Sequence, residues 1–195
     1  PKPESMFNEN YPFYTGSSEY MKSHFKEFSN YVKNEHLNSN SKIIEIGSND
    51  GTLLKNFIKD KENILGIEPS KNVALKSISE GVPTLNEFFN LESVSKLNKF
   101  VGKTDLIFSS NCICHIPDLD DLIKGIDLLL NKNGTFIFEE PYLGSMFNKT
   151  SYDQIYDEHI YMFSVSSIKK IFNLYDFELV NALPQTTHGG SMRYI

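Results

Sequence analysis

The stretch from Ser41 to Leu54, SKIIEIGSNDGTLL, most constrains what this chain can fold into. Ile43, Ile44 and Ile46 form a short β-branched run that reads as a buried parallel strand. Gly47 and Gly51 bracket a polar turn, Ser48-Asn49-Asp50, and Thr52, Leu53, Leu54, Phe57 and Ile58 follow at helical spacing. Glycine is needed where the backbone bends sharply and where a ligand comes close enough for a Cβ to clash. The first helical N–H groups point into the same gap. A strand, glycine turn and helix in this order form the corner at which doubly wound α/β folds hold a nucleotide.

The spacing narrows the ligand. A dinucleotide fingerprint wants G-x-G-x-x-G, but after Gly47 its second and third positions hold Asn49 and Thr52. No G-K-[ST] follows, which excludes a P-loop. What remains is Glu45-x-Gly47-x-x-x-Gly51, with Glu68 closing the next strand, Ile64–Glu68. An acid about 20 residues past such a turn is placed to accept hydrogen bonds from ribose hydroxyls. An acidic strand end without a phosphate clamp suits a nucleoside without phosphates, and S-adenosylmethionine fits that description. The bland alternative is an ordinary βα turn with Glu68 capping the helix that starts near Ser70.

At 195 residues the chain has enough interior for one good-sized core. Its net charge of -6, without a Lys/Arg cluster, disfavours a nucleic-acid partner. No apolar run approaches the roughly 18 residues of a membrane span, so no membrane association is expected. Cys112 and Cys114 are one residue apart, a spacing that matches neither a zinc knuckle nor a disulfide framework. Reduced thiols and a cytoplasmic setting are the expectation. The chain begins Pro-Lys-Pro with no Met and reads as a fragment.

Taken in order, residues 1–40 are expected to form an aromatic arm and a leading helix, and residues 41–195 the ligand-binding domain. The arm carries Phe7, Tyr11, Phe13 and Tyr14. It either covers a sheet edge or forms a lid over the cofactor. Met21, Phe25, Phe28 and Val32 predict a helix from Ser17 to about Asn38. Further strands are expected at 82–85, 105–109, 135–139, 177–180 and 189–195, with helices over 70–79, 91–100, 118–130 and 165–174. Strands alternating with helices at this spacing imply a mostly parallel sheet. Phe88 and Phe89, just past a strand end, could stack on an adenine or plug the core. Asn111 and His115 follow the fourth strand and face the same crevice; His115 could carry a proton or be structural.

Residues 144–164 read as a long insert that gathers Tyr152, Tyr156, Asp157, Glu158, His159 and Tyr161. Tyr156 and His159 are three apart and would share one face of a helical turn. A phenol and an imidazole together can remove a proton from a carbon acid, with Glu158 orienting either partner. The bland alternative is a solvated polar loop, although loops this long in compact domains tend to be functional.

The segments EIGSNDGTLL, GIEPS, NCICHIPDL, FEEPYLGSMFNKTSYDQIYDEHIYMFS and THGGSMRY, with the arm NYPFYTGSSEYMKSHF, resemble the S-adenosylmethionine-dependent C-methyltransferases of nucleotide-linked keto-deoxysugars. The resemblance covers nearly the whole chain and is most specific at the YDEH loop. It implies an α/β, doubly wound, seven-stranded Rossmann-like methyltransferase fold with a final antiparallel strand. It implies that Tyr156, Glu158 and His159 are catalytic and gives the same role to His115. Residues expected around the cofactor are Tyr11, Tyr14, Glu45, Gly47, Asn49, Gly51, Glu68, Pro69, Phe88 and Asn111. Tyr14 stands where the family pattern suggests His. Family members carry a cysteine-rich zinc module before this core and a nucleotide-sugar-holding domain after it, so the catalytic core of a longer protein, or a shortened relative, is expected. No metal is expected within this core, and a monomer is expected. The alternatives are an O- or N-methyltransferase on another small metabolite, or a non-catalytic cofactor-binding module.

Overall fold

The computed structural model describes residues 2–195; Pro1 and the side chains of Asp60 and Tyr152 lie outside what is described. The chain enters through a short helix α1 (Pro3–Met6) and a 3-10 turn at Thr15–Ser17. Helix α2 (Glu19–Glu35) starts where Ser18 accepts a hydrogen bond from the Met21 N–H, a standard N-cap. Strand β1 (Ile43–Ile46) leads through the glycine turn to a 3-10 helix, Leu54–Asn63, and strand β2 (Ile64–Ile67). Helix α3 (Lys71–Ser79), strand β3 (Thr84–Leu85), helix α4 (Leu91–Ser95) and strand β4 (Thr104–Ser110) follow. Helix α5 (Leu119–Leu129), strand β5 (Leu130–Pro141), helices α6 (Leu143–Lys149) and α7 (Val165–Asn173), and strands β6 (Ala182–Gln185) and β7 (Ser191–Tyr194) complete the fold.

The seven strands lie in the order β3-β2-β1-β4-β5-β7-β6. The pairs from β3 through β5 are parallel, and β7 runs antiparallel to both of its neighbours, as expected. Side chains alternate across the sheet with period two. Ile43, Leu106, Phe108 and Ile137 pack with Phe25, Phe28 and Val32 of α2. Ile44, Ile46, Ile107, Phe136 and Phe138 pack on the other face with Leu122, Ile123 and Ile126 of α5 and Phe172 of α7. Both faces are covered, which is why these strands read as near-continuous apolar runs. The chain turns back between β1 and β4, so the carboxyl ends of those strands open a crevice at the switch point.

Some local expectations are corrected. The segment after Gly51 is a 3-10 helix, because Asn56 Nδ2 donates to the carbonyls of Thr52 and Leu53 and competes for first-turn acceptors. The strand expected at 177–180 is not one; pairing begins beyond it, at Ala182. Phe177 and Leu179 pack against the α5 face of the core, which gives alternation without a ladder partner. The 144–164 insert is partly helical, since α6 occupies its first residues. In addition, α4 stops at Ser95 rather than near Phe100, and β5 extends well beyond 135–139 at both ends.

Two adjacent carboxylates close β5 with no exposed surface. Glu139 accepts from His24 Nε2 at 2.7 Å and from Arg193 Nε at 2.7 Å, which ties α2 and β7 to the sheet. Burial alone would raise its pKa, but the His24 hydrogen bond and the Arg193 charge prevail and hold it below the ordinary carboxylate value. Replacing Arg193 with Met should therefore cost about 3 kcal/mol in urea unfolding, because it strands most of a buried charge. The wild-type contribution is present above the unfolded carboxylate pKa and is lost as the pH falls through the lower folded value.

Candidate functional site

A cavity of about 600 Å³ opens at the switch point, within the range of small-molecule sites. Ile46 and Gly47 line it from the end of β1, Ile67, Glu68 and Pro69 from β2, and Ser110, Asn111 and Cys112 from β4. The arm closes it with Phe7, Tyr11, Phe13 and Thr15, and the catalytic-loop candidates Tyr156, Glu158 and His159 line another wall with His115. Phe88 and Phe89 both face it as well.

The glycine turn is built for close approach. Gly47 has φ +68°, and a Cβ there would lie 2.6 Å from the Cys112 sulfur. Asn49, Asn111 and His188, all lining the cavity, adopt left-handed backbone conformations with φ 49°, 50° and 46°. Non-glycine residues hold such angles where surrounding structure over-determines them, often at functional sites. Asn49 is a hub: its N–H donates to Glu68 Oε2 at 3.0 Å, its Oδ1 accepts from Thr15 N, and its Nδ2 donates to the Phe13 carbonyl. Asp50 accepts from Gly16 N at 2.9 Å, so the arm is fastened onto the turn. Asn72 of α3 adds donations to the Tyr11 carbonyl and the Tyr14 hydroxyl.

Glu68 accepts one N–H on each oxygen, from Asn49 and from Ser70, and each oxygen keeps a further lone-pair direction. Burial raises its pKa against the pull of those two hydrogen bonds. Tyr11 lies between the two ends of the cavity: burial, then the charges of Glu158 and Glu68, pushes its phenol up. Three cofactor candidates do not line the cavity. Tyr14 turns to Asn72, Gly51 (φ +75°) packs against Ser77 and Val82, and Glu45 is buried beneath the turn. One Glu45 oxygen has no partner, and burial, then Asp50 and Glu68, drives its pKa well up.

At the other end, His159 donates Nδ1–H to the Gln154 carbonyl at 2.9 Å. Its Nε2 is thereby the acceptor, and Tyr156 donates its hydroxyl to it at 2.8 Å. His115 donates Nδ1–H to the Glu158 carbonyl at 2.7 Å, and its ring lies 5.1 Å from that of His159. Burial lowers both imidazole pKa values and favours the neutral forms. Neutral His115 therefore presents a lone pair at Nε2, and it donates to an oxyanion only after taking up a second proton. Glu158 contributes its main-chain carbonyl to this network.

Glu140 is the residue that sequence reasoning passed over. Its Oε1 accepts from Cys112 N at 3.0 Å and Ile113 N at 2.7 Å, fixing the turn that carries His115. The Cys114 carbonyl on that turn accepts from Ile160 N and Tyr161 N, so the turn in its place holds the 156–161 loop. The one available signal was a second acid beside Glu139 at a strand end. His188, in the THGG segment, was likewise not singled out.

A family model described as a methyltransferase domain matches residues 17–182, and the chain belongs to this family. It is an S-adenosylmethionine-dependent methyltransferase domain. Among relatives, the C-methyltransferase NovU of Streptomyces niveus is 30% identical over 150 residues, which is 77% of this chain and 36% of NovU. The chain thus spans little more than a third of the length of this relative. Solved structures share the fold at low identity. A methyltransferase in complex with the Trm112 activator of Haloferax volcanii superposes with TM-score 0.67 at 12% identity, covering 92% of this chain and 93% of that one. An S-adenosylmethionine-dependent methyltransferase of Clostridium acetobutylicum gives 0.64 at 15%, covering 92% of each. Magnesium protoporphyrin IX methyltransferase of Synechocystis, solved with bound SAH, gives 0.59 at 13%, covering 89% of this chain and 81% of that one. Among the described residues no helix is long and apolar enough to cross a membrane.

The cavity fits the cofactor: Glu68 has lone pairs to spare, the Gly47 turn lacks a Cβ, and Phe88 offers an aromatic wall. Glu68→Ala should weaken S-adenosylmethionine binding about tenfold to a hundredfold, the worth of hydrogen bonds to a charged group, as read by calorimetry. Gly47→Ala, strained by its φ and its contact with Cys112, should lower affinity in the same assay.

Proposed function

We propose that this domain C-methylates a nucleotide-linked keto-deoxysugar through an enolate. The reading rests above all on one observation, the Tyr156–His159 hydrogen bond on the wall of the cofactor cavity. The 30% likeness to a C-methyltransferase supports it. A methyl transfer to oxygen or nitrogen needs a base for a proton that is already labile. A transfer to carbon first needs removal of a proton α to a carbonyl, which calls for a stronger base, and Tyr156, 47% exposed, is open to an incoming substrate.

S-adenosylmethionine supplies the electrophilic methyl group. Glu68 would hold its ribose, and Gly47 and Asn49 would let the backbone come close to it. Tyr11 stands between the donor end and the reacting end. The phenol–imidazole pair acts as one base: the Tyr156 oxygen takes the α-proton of the ketone as its own proton passes to His159 Nε2. The main-chain bond from His159 Nδ1 to Gln154 fixes the ring for this transfer. The electron pair left on the substrate moves onto the ketone oxygen as an enolate. That new charge raises the proton affinity of His115, which takes a proton from solvent at Nε2 and then donates it to the enolate oxygen. When bound, the cofactor would give its methyl group to the α-carbon as its S–C bond breaks, leaving as the neutral thioether S-adenosylhomocysteine, and alignment of donor and acceptor by the cavity supplies much of the remaining advantage.

Tyr156→Phe and His159→Asn should each lower kcat by about 10²–10⁴-fold, the usual worth of general-base catalysis, with S-adenosylmethionine affinity unchanged. The assay is mass spectrometry for the gain of one methyl group on a dTDP-4-keto sugar; wild-type rates in both variants would end this assignment. The neutral pair is also visible in the pH profile. Since burial lowers the His159 pKa, activity should persist as the pH falls past the ordinary imidazole value of 6.5 and decline only below it. A rate that halves at or above that value would contradict a neutral His159.

A further inference from the structure

The base described above has a neighbour that methyl transfer does not use. Cys114, next to His115 in the chain, is 1% exposed. One ligand atom each from Cys114, His115 and His159 lies within 4.8 Å of the others, a grouping found nowhere else among the described residues. Each imidazole donates Nδ1–H to a main-chain carbonyl, His115 to Glu158 and His159 to Gln154. This is the outer-shell arrangement that fixes metal-binding histidines and leaves Nε2 as the ligand atom. One thiolate and two imidazoles with an open fourth position form a zinc-type donor set. The set lacks the carboxylates and carbonyls that magnesium or calcium would require.

We propose that Cys114, His115 and His159 form a binding site for a thiophilic divalent cation of the zinc type, and that its occupancy inhibits the domain. The cation reaches the imidazoles through the cavity that both line. A Zn–S bond forms as the Cys114 S–H bond breaks, and the Glu140 carboxylate hydrogen-bonded to that thiol takes up the proton. His159 Nε2 gives its lone pair to the cation in place of the Tyr156 proton, so the base is disabled. The binding stands on the donor geometry alone; only the inhibition rests on the function proposed for Tyr156 and His159.

The binding test uses the chain without cofactor, titrated with Zn²⁺ against a chelating dye and separately with Co²⁺ under anaerobic conditions. The expected result is one cation per chain and a cobalt spectrum with a thiolate charge-transfer band. Cys114→Ala should bind Zn²⁺ at least about tenfold more weakly, judged by what even an outer-shell loss costs, and should lose the cobalt band. Cys114→Ser, closer in volume, serves the same comparison if the alanine variant does not fold. No binding, unchanged affinity in the folded variant, or a cobalt spectrum without a sulfur band would overturn the site. For inhibition, wild-type methyl transfer should fall with added Zn²⁺, while the Cys114 variant, each measured against its own zinc-free rate, should need at least about tenfold more Zn²⁺ for the same fractional loss. Zinc binding with the full cobalt signature but no methyl transfer in any sample would count against the proposed function and leave the cation site standing.

Discussion

Two side-by-side carboxylates at the end of β5 hold together what covers the sheet. They point to opposite faces, as successive strand residues must. Glu139 is neutralised by Arg193 and bonded by His24, so it anchors α2, and with it the arm that follows the chain toward the cavity. Glu140 has no cation; its charge is met by the N–H groups of the 112–113 turn, and burial moves its pKa up to about 7. From that turn hang His115 and, through the Cys114 carbonyl, the loop with Tyr156 and His159. The arm and the loop carrying the candidate catalytic residues are thus fixed from one point in the core.

The parts of the chain that could be read directly are those where local chemistry and the tertiary role agree. Ile43–Ile46 and 105–109 are apolar because both sheet faces are covered, and Gly47 is glycine because Cys112 leaves no room for a Cβ. Ser164 caps α7 as its sequence suggests, with a reciprocal bond from Ser167. The failures have the opposite cause. Phe177 and Leu179 alternate like a strand but serve the core without a partner, and Asn56 redirects hydrogen bonds that composition cannot reveal.

The candidate site was legible in the same uneven way. Glu68 and the Tyr156–His159 spacing signal themselves through position and residue type. Glu140 does not, because its importance lies in which distant N–H groups it meets. Tyr14, Glu45 and Gly51 sit in the right motif but support the wall from behind, so a motif locates a turn more securely than it identifies the atoms that face the ligand. The directions of the His115 and His159 hydrogen bonds were invisible too, yet they decide which nitrogen is basic.

The electrical character of the cavity fits the division of labour proposed for it. Among the described residues lining it there are acids and histidines, Glu4, Glu68, Asp118, Asp121 and Glu158 with His115, His159 and His188, but no Lys or Arg. Such a lining favours a cationic sulfonium and offers nothing to a diphosphate. A nucleotide-linked sugar would therefore enter with its sugar first, leaving its phosphates toward solvent or another part of the protein. In that proposed pose the neutral histidines would face the sugar ring rather than the phosphates. There a base can act on a carbon acid without first being captured as an imidazolium by an anionic group.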